Sequence, residues 1–223
     1  STATVGVSGP MPKKAKARRF ISVSNHRPIK VNQANPPLEA DVPIHRTAYL
    51  FRCAEEADCS AVSELVNAAY RPADAAAGWT SETALVAGPR TNPAQLLALL
   101  QRPRSCLLLA CCEAGHIRGC VHIEADRDDA YIGMLAVWPQ QQGSGLGKQL
   151  LQQAEQWAVR AFGARQLLLS VIQQRSELRA YYLRRGYQPN GQGYPYPLDA
   201  GAGVPCDERL WVEVLEKHVP HQP

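Results

Sequence analysis

From Tyr49 onward, short apolar runs alternate with stretches in which apolar residues recur every three or four positions. The two periods separate strands from helices. Tyr49–Cys53 reads as a strand. Asp58 then caps a helix whose apolar face is Val62, Leu65, Val66 and Ala69, the i, i+3, i+4, i+7 spacing. After a stretch of mixed character (71–90), Asn92-Pro93 supplies a cap and a first-turn proline for a short helix, Ala94–Leu100. Three strands follow at Ser105–Cys112, Ile117–Ala125 and Ala130–Val137. The turns at Ala114-Gly115 and Arg127-Asp128-Asp129 make them an antiparallel meander. Beyond a glycine-rich loop, Gly147–Phe162 predicts a long helix with Leu150, Leu151, Ala154, Trp157, Ala158 and Ala161 on one side. Gln166–Ile172 reads as a buried strand and Ser176–Arg185 as a helix stopped by Gly186. Arg209–Leu215 reads as the last strand.

Residues 1–46 break this pattern. They lack periodicity and hold Pro10, Pro12, Pro28, Pro36, Pro37 and Pro43, so they read as a flexible basic arm before a domain at 47–218 and a short tail at 219–223. Charge sharpens the division. The arm carries eight Lys/Arg against two acids, so the chain's net charge of +4 leaves a balance of −2 for the remainder. The basic character therefore belongs to the arm, and a nucleic-acid-binding domain is not expected. Its first 38 residues have seven bases and no acid, which keeps an organelle transit peptide as an alternative to a solvated extension. The first twenty residues contain no apolar segment of secretory type, and no apolar run is long enough to span a bilayer. The seven cysteines have no framework spacing, which suits a reducing compartment, and the expectation is a cytoplasmic protein. With no CxxC pair and six scattered histidines, no metal site is expected.

The chemistry concentrates between strand and helix, at Gln142-Gly143-Ser144-Gly145-Leu146-Gly147. Glycines let successive N–H groups converge on one point, and the following helix adds its positive end. Together they suit a phosphate or pyrophosphate. Spacing discriminates among such loops. A P-loop ending at Gly147-Lys148 would need Gly at 142 and Ser or Thr at 149, where Gln142 and Gln149 stand. A dinucleotide loop, GxGxxG, meets Lys148 or Leu150 where its third glycine belongs. What fits is Q/R-x-x-G-x-G/A, as Gln142, Gly145 and Gly147.

Leu135-Ala136-Val137-Trp138-Pro139 followed by this loop resembles the acyl-CoA pyrophosphate motif of the GNAT superfamily of N-acetyltransferases. Ala180-Tyr181-Tyr182-Leu183-Arg184-Arg185-Gly186-Tyr187 resembles the same family's helix-to-strand signature. The resemblance covers about residues 48–217. It implies an α+β fold in which a central, mostly antiparallel twisted sheet with a V-shaped split carries helices on both faces. Acetyl-CoA would be the co-substrate. Leu135, Ala136 and Val137 would offer backbone groups to the pantetheine arm and thioester. The N–H groups of Gly143, Ser144, Gly145, Leu146, Gly147 and Lys148 would hold the pyrophosphate, with the Gln142 side chain bracing the loop. Lys148 reads equally as a phosphate contact or an exposed helix lysine. Tyr182 would donate a proton to the departing thiolate. Arg175 stands where the family often has Asn, and would reach a CoA phosphate instead.

For a general base the strand before the loop offers no acid. Glu124 is the candidate, sharing a face of the neighbouring strand with Cys120 and His122 by period-two alternation. Tyr70, Trp79 and Glu82 fall where the resemblance puts the acceptor wall, and the ring of Trp79 with the charge of Glu82 would suit an ammonium. Tyr194 and Tyr196, read as part of a second long loop, would line the same cleft. The leading expectation is acetyl transfer to a primary amine of a small molecule or peptide, by direct attack in a ternary complex. Protein N-terminal or lysine acetylation is the alternative within enzymes, and a non-catalytic acyl-CoA-binding module the alternative outside them. No membrane partner is expected; a homodimer stays open.

Overall fold

The computed structural model describes residues 49–72 and 81–219. The predicted arm, 1–46, lies outside them, as does Trp79. The elements that build the sheet are β1 (Leu50–Cys53), β3 (Ser105–Cys111), β4 (Ile117–Asp126), β5 (Asp129–Val137), β6 (Gln166–Ile172), β7 (Gln188–Pro195) and β9 (Trp211–His218). They stand in the order β1-β3-β4-β5-β6-β9-β7. Every neighbouring pair is antiparallel except β5 and β6. Two short strands, β2 (Val86–Ala87) and β8 (Val204–Pro205), pair apart from it.

Helices cover both faces because strand residues alternate. Leu107, Leu109, Cys120 and Ala136 meet α1 (Cys59–Tyr70) and α2 (Pro93–Leu100) on one face. Leu108, Val121, Ile123 and Ile132 meet α3 (Leu146–Phe162) on the other, together with Tyr182 of α4 (Ser176–Leu183). The predicted face of α1 is the buried one: Val62, Leu65, Val66 and Ala69 are fully enclosed. α2 starts on a reciprocal cap. Asn92 Oδ1 accepts from Gln95 N at 2.9 Å, and Gln95 Oε1 accepts from Asn92 N at 3.1 Å.

Three local readings are corrected. Asp58 does not cap α1 through its side chain. Its carboxylate accepts from Glu55 N at 2.8 Å and pairs with Arg52 at 2.6 Å, closing a single 3-10 turn before the helix. The stretch read as a second long loop contains β7, an edge strand interrupted by a bulge between Pro189 and Gly193. The final strand begins two residues later than expected and runs on to His218.

Candidate active site

β5 holds the two features that open the sheet. Opposite Cys120 and His122 of β4 stand Ala136 and Gly133, so β5 carries one extra residue across that step. Met134 takes up the bulge with φ +50°. The extra residue shifts the alternation: Ile132 faces α3, and so do Leu135 and Val137. β5 and β6 pair only over Asp129–Tyr131 and Gln166–Leu168. Beyond Tyr131 the two strands share no register, and the gap between them is the V-shaped split.

At the open end of the split, Val137 leads through a 3-10 turn (Pro139–Gln141) into the glycine loop. Gly143 and Gly145 have φ of +83° and +86°, and Gly145 is the N-cap of α3. Non-glycine residues pay steric strain in that region. A Cβ at either position would meet nothing within 4 Å, so the space in front of the loop is open. Among the described residues the N–H groups of Gly143 and Gly145 meet no backbone acceptor. Gln142 Nε2 donates to Val137 O at 3.2 Å, tying the loop to the end of β5. Open donors at the start of a 17-residue helix fit a pyrophosphate. Lys148 is exposed on the first turn.

α4 closes the split from the α3 side. Tyr182 is buried, edge-on to Tyr181 and Tyr187 at ring separations of 5.2 and 5.8 Å. Burial pushes its phenol well above the usual value, with the Tyr70, Tyr181 and Tyr131 phenols adding to this and Arg175 opposing it. It is therefore protonated at neutral pH. Among the described residues its hydroxyl has no hydrogen-bond partner. Tyr181 is half-buried and packs against the core. Its hydroxyl reaches the first turn of α3 beside Gly147, and Arg185 stacks on its ring at 3.3 Å.

On the α1 side, Tyr70 donates to Leu135 O at 3.0 Å, fastening the end of α1 to the bulge. Burial pushes the Tyr70 phenol up to about 12. Tyr194, expected in a loop, projects from β7 with its hydroxyl 2.9 Å from Ser170 Oγ. Tyr196 donates to Ala202 O at 2.9 Å. Tyr131 is half-buried, with its phenol beside Tyr194 and Ser170.

The acidic candidates have other tasks. Glu82 was expected as an exposed loop charge for an ammonium. It is buried, with Oε2 2.9 Å from Arg71 Nη1 and Oε1 3.1 Å from Arg175 Nη1. That same pair draws Arg175, expected on a CoA phosphate, into the wall beside the split. Glu124 lies opposite Tyr131, level with the closed part of the split, and pairs with Arg102 at 3.1 Å. Cys120 donates to Met134 O at 3.8 Å beside the bulge, and burial pushes its thiol up to about 12. An open groove lined by Arg52, Asp58, Glu64, His116, Arg118 and Trp138 takes no residue from β6, α4 or the glycine loop. Among the described residues no cluster of His, Cys, Asp and Glu is placed to hold a metal. None of their helices is long and apolar enough to cross a membrane.

A sheet split between β5 and β6, with a glycine loop and the start of a long helix at the mouth of the split, is the architecture of an acyltransferase. The model of the Acetyltransferase (GNAT) family matches residues 64–187, more than half of the chain, and the chain belongs to that family. The ribosomal-protein-S18-alanine N-acetyltransferase from Escherichia coli is similar at TM-score 0.57 and 17% identity, over 79% of this chain and 97% of that one. The yncA structure from Salmonella typhimurium, solved with its cofactor acetyl-CoA, gives TM-score 0.54 and 21% identity over 79% and 96%. A mutant spermidine/spermine N-acetyltransferase from Vibrio cholerae gives 0.54 and 14% over 77% and 95%. At these identities the likeness shows the fold. A search of curated proteins finds no match to the sequence.

Proposed function

We propose that this acetyltransferase moves an acetyl group from acetyl-CoA to a primary amine of a small molecule or peptide, by direct attack within a ternary complex. The observation that carries the reading is the split itself. β5 leaves β6 after Tyr131, bulges at Met134, and lies near a protonated Tyr182 whose hydroxyl has no hydrogen-bond partner among the described residues. The solved neighbours are named for acetylating a protein's alanine and a polyamine, both amine acceptors.

Acetyl-CoA supplies an activated thioester when bound. The N–H groups of Gly143, Gly145 and Gly147 hold its pyrophosphate, those of Ser144 and Lys148 being engaged by Gln141 O and Gly145 O, and the backbone of Leu135 to Val137 aligns the arm along β5. An N–H at Leu135 or Ala136 donates to the thioester oxygen and favours the charge that develops there. As the amine nitrogen bonds to the carbonyl carbon and the C–S bond breaks, Tyr182 gives its proton to the sulfur. The proton leaving the amine passes to water, since Glu124 is engaged by Arg102. Direct attack is favoured over a covalent relay because Cys120, the cysteine beside the bulge, is held as a neutral thiol. Tyr70 and Trp79 stay as proposed acceptor-wall residues.

Gly147→Glu tests the cofactor side cleanly. Gly147 has ordinary φ, and a Cβ there would sit 3.8 Å from Val137 Cγ2 and 3.9 Å from the Tyr181 hydroxyl, so the variant should fold. Acetyl-CoA should raise the melting temperature of the wild type and not of the variant. An equal rise in both would remove the loop from the reading.

A further inference from the structure

The acceptor side of the split is lined with positive charge. The charged groups that bear most on the Tyr70, Tyr131, Tyr182 and Tyr196 phenols are Arg71, Arg90, Arg175 and Glu82. Glu82 already faces two guanidiniums, which leaves the trio with an excess of one positive charge. Arg71 is consumed by its own contacts: it donates to the carbonyls of Tyr70, Gly88 and Ala202 as well as to Glu82.

Arg90 is different. Its guanidinium lies 5.4 Å above the centre of the Tyr70 ring, and among the described residues it pairs with no carboxylate. Its position is built, not incidental. Asn67, one turn before Tyr70 on α1, accepts from Arg90 N at 2.7 Å and Thr91 N at 3.3 Å, and donates to Thr91 O at 2.9 Å. One helix therefore carries both the ring under Arg90 and the side chain that clamps the Arg90 backbone. Through the Tyr70 hydroxyl the same ring touches Leu135 at the bulge. This charge, with no carboxylate partner among the described residues, thus stands one tyrosine away from where the acyl group would react.

Resting on the acetyl-transfer reading, we infer that the acceptor amine also carries an oxyanion, a carboxylate or phosphonate, that pairs with Arg90 above Tyr70. The acceptor is of amino-acid type, with its amine directed to the bulge and its anion to Arg90. A planar guanidinium matches such a group in two-pronged fashion, and among the described residues no carboxylate already takes its donors. A polycation would instead meet, among the described residues, three arginines and one neutralised acid.

The test is a matched panel followed by acetyl-CoA-dependent thiol release. One arm holds amino acids and aminophosphonates; the other holds the same amines without the anion, together with spermidine. Anion-bearing amines should be favoured in kcat/KM by about tenfold to a hundredfold, the scale of a charge-assisted hydrogen bond. Arg90→Gln should erase that preference, Arg90→Lys should keep part of it, and neither should change the KM for acetyl-CoA. Equal or better use of anion-free amines overturns the inference and leaves acetyl transfer standing. Turnover of neither arm, with acetyl-CoA still raising the melting temperature, also overturns it. Loss of that thermal shift in the wild type would overturn both readings together.

Discussion

Tyr181 and Tyr182 are adjacent in sequence and serve different faces of α4. Tyr181 leans on the first turn of α3 beneath Arg185, while Tyr182 turns into the core edge-on to Tyr187. The difference sets what each substitution should do. Tyr182→Phe keeps the edge-on ring contacts and removes the donor, so acetyl-CoA should bind as before while kcat falls about 10²-fold. Burial raises the Tyr182 phenol above its ordinary value of about 10, so it stays protonated through the range where a free tyrosine would begin to ionise. The kcat profile should accordingly show no descending limb from pH 8 to about 10. Turnover in the phenylalanine variant within twofold of wild type would hand the proton to water.

At the scale of elements, α3 must sit close to the sheet for its first turn to meet the end of β5. Gly119 on β4 provides that closeness. A Cβ there would stand 2.6 Å from Leu150 Cδ1 and 2.9 Å from Ala136 O. Leu150 can turn aside; the carbonyl of β5 cannot without disturbing the strand next to the bulge. Gly119→Ala should therefore cost about 1–3 kcal/mol of stability and weaken acetyl-CoA binding together, measured by denaturant unfolding and calorimetry. A stable variant with unchanged affinity would mean that α3 tolerates a wider seat. The same logic explains why β7 escapes pattern reading. Pro189, Gly191 and Gly193 interrupt its alternation, which an edge strand with a bulge tolerates.

The Arg71–Glu82–Arg175 group joins distant parts of the molecule: the end of α1, the turn before β2, and the start of α4. Arg71 extends the link to Ala202, next to β8. All three side chains are about nine-tenths buried. Glu82→Gln would leave two guanidiniums buried against a neutral amide, with a cost of about 3–5 kcal/mol. The expected result is a lowered melting temperature with or without acetyl-CoA. A variant of wild-type stability that raises only the acceptor KM would instead make Glu82 an acceptor contact.

Local periodicity and spacing determined a good deal here by themselves. The buried stripe of α1, the meander of β3, β4 and β5, the long helix after the glycine loop, and the family resemblance all rest on residues within a few positions of one another. Such signals survive because backbone sterics and helix or strand period act over short range. What the tertiary structure alone decided is long-range. That Glu82 would be enclosed by Arg71 and Arg175 is set by partners 11 and 93 residues away. The bulge at Met134 exists only against the register of β4, and Arg90 lies over the Tyr70 ring only because Asn67 and Tyr70 of another element stand beside it. Charge and hydrogen bonding depend on who faces whom across the fold. A one-dimensional pattern names the groups but not their partners, and here the partners turn Glu82 from an expected open charge into the buried centre of an arginine pair.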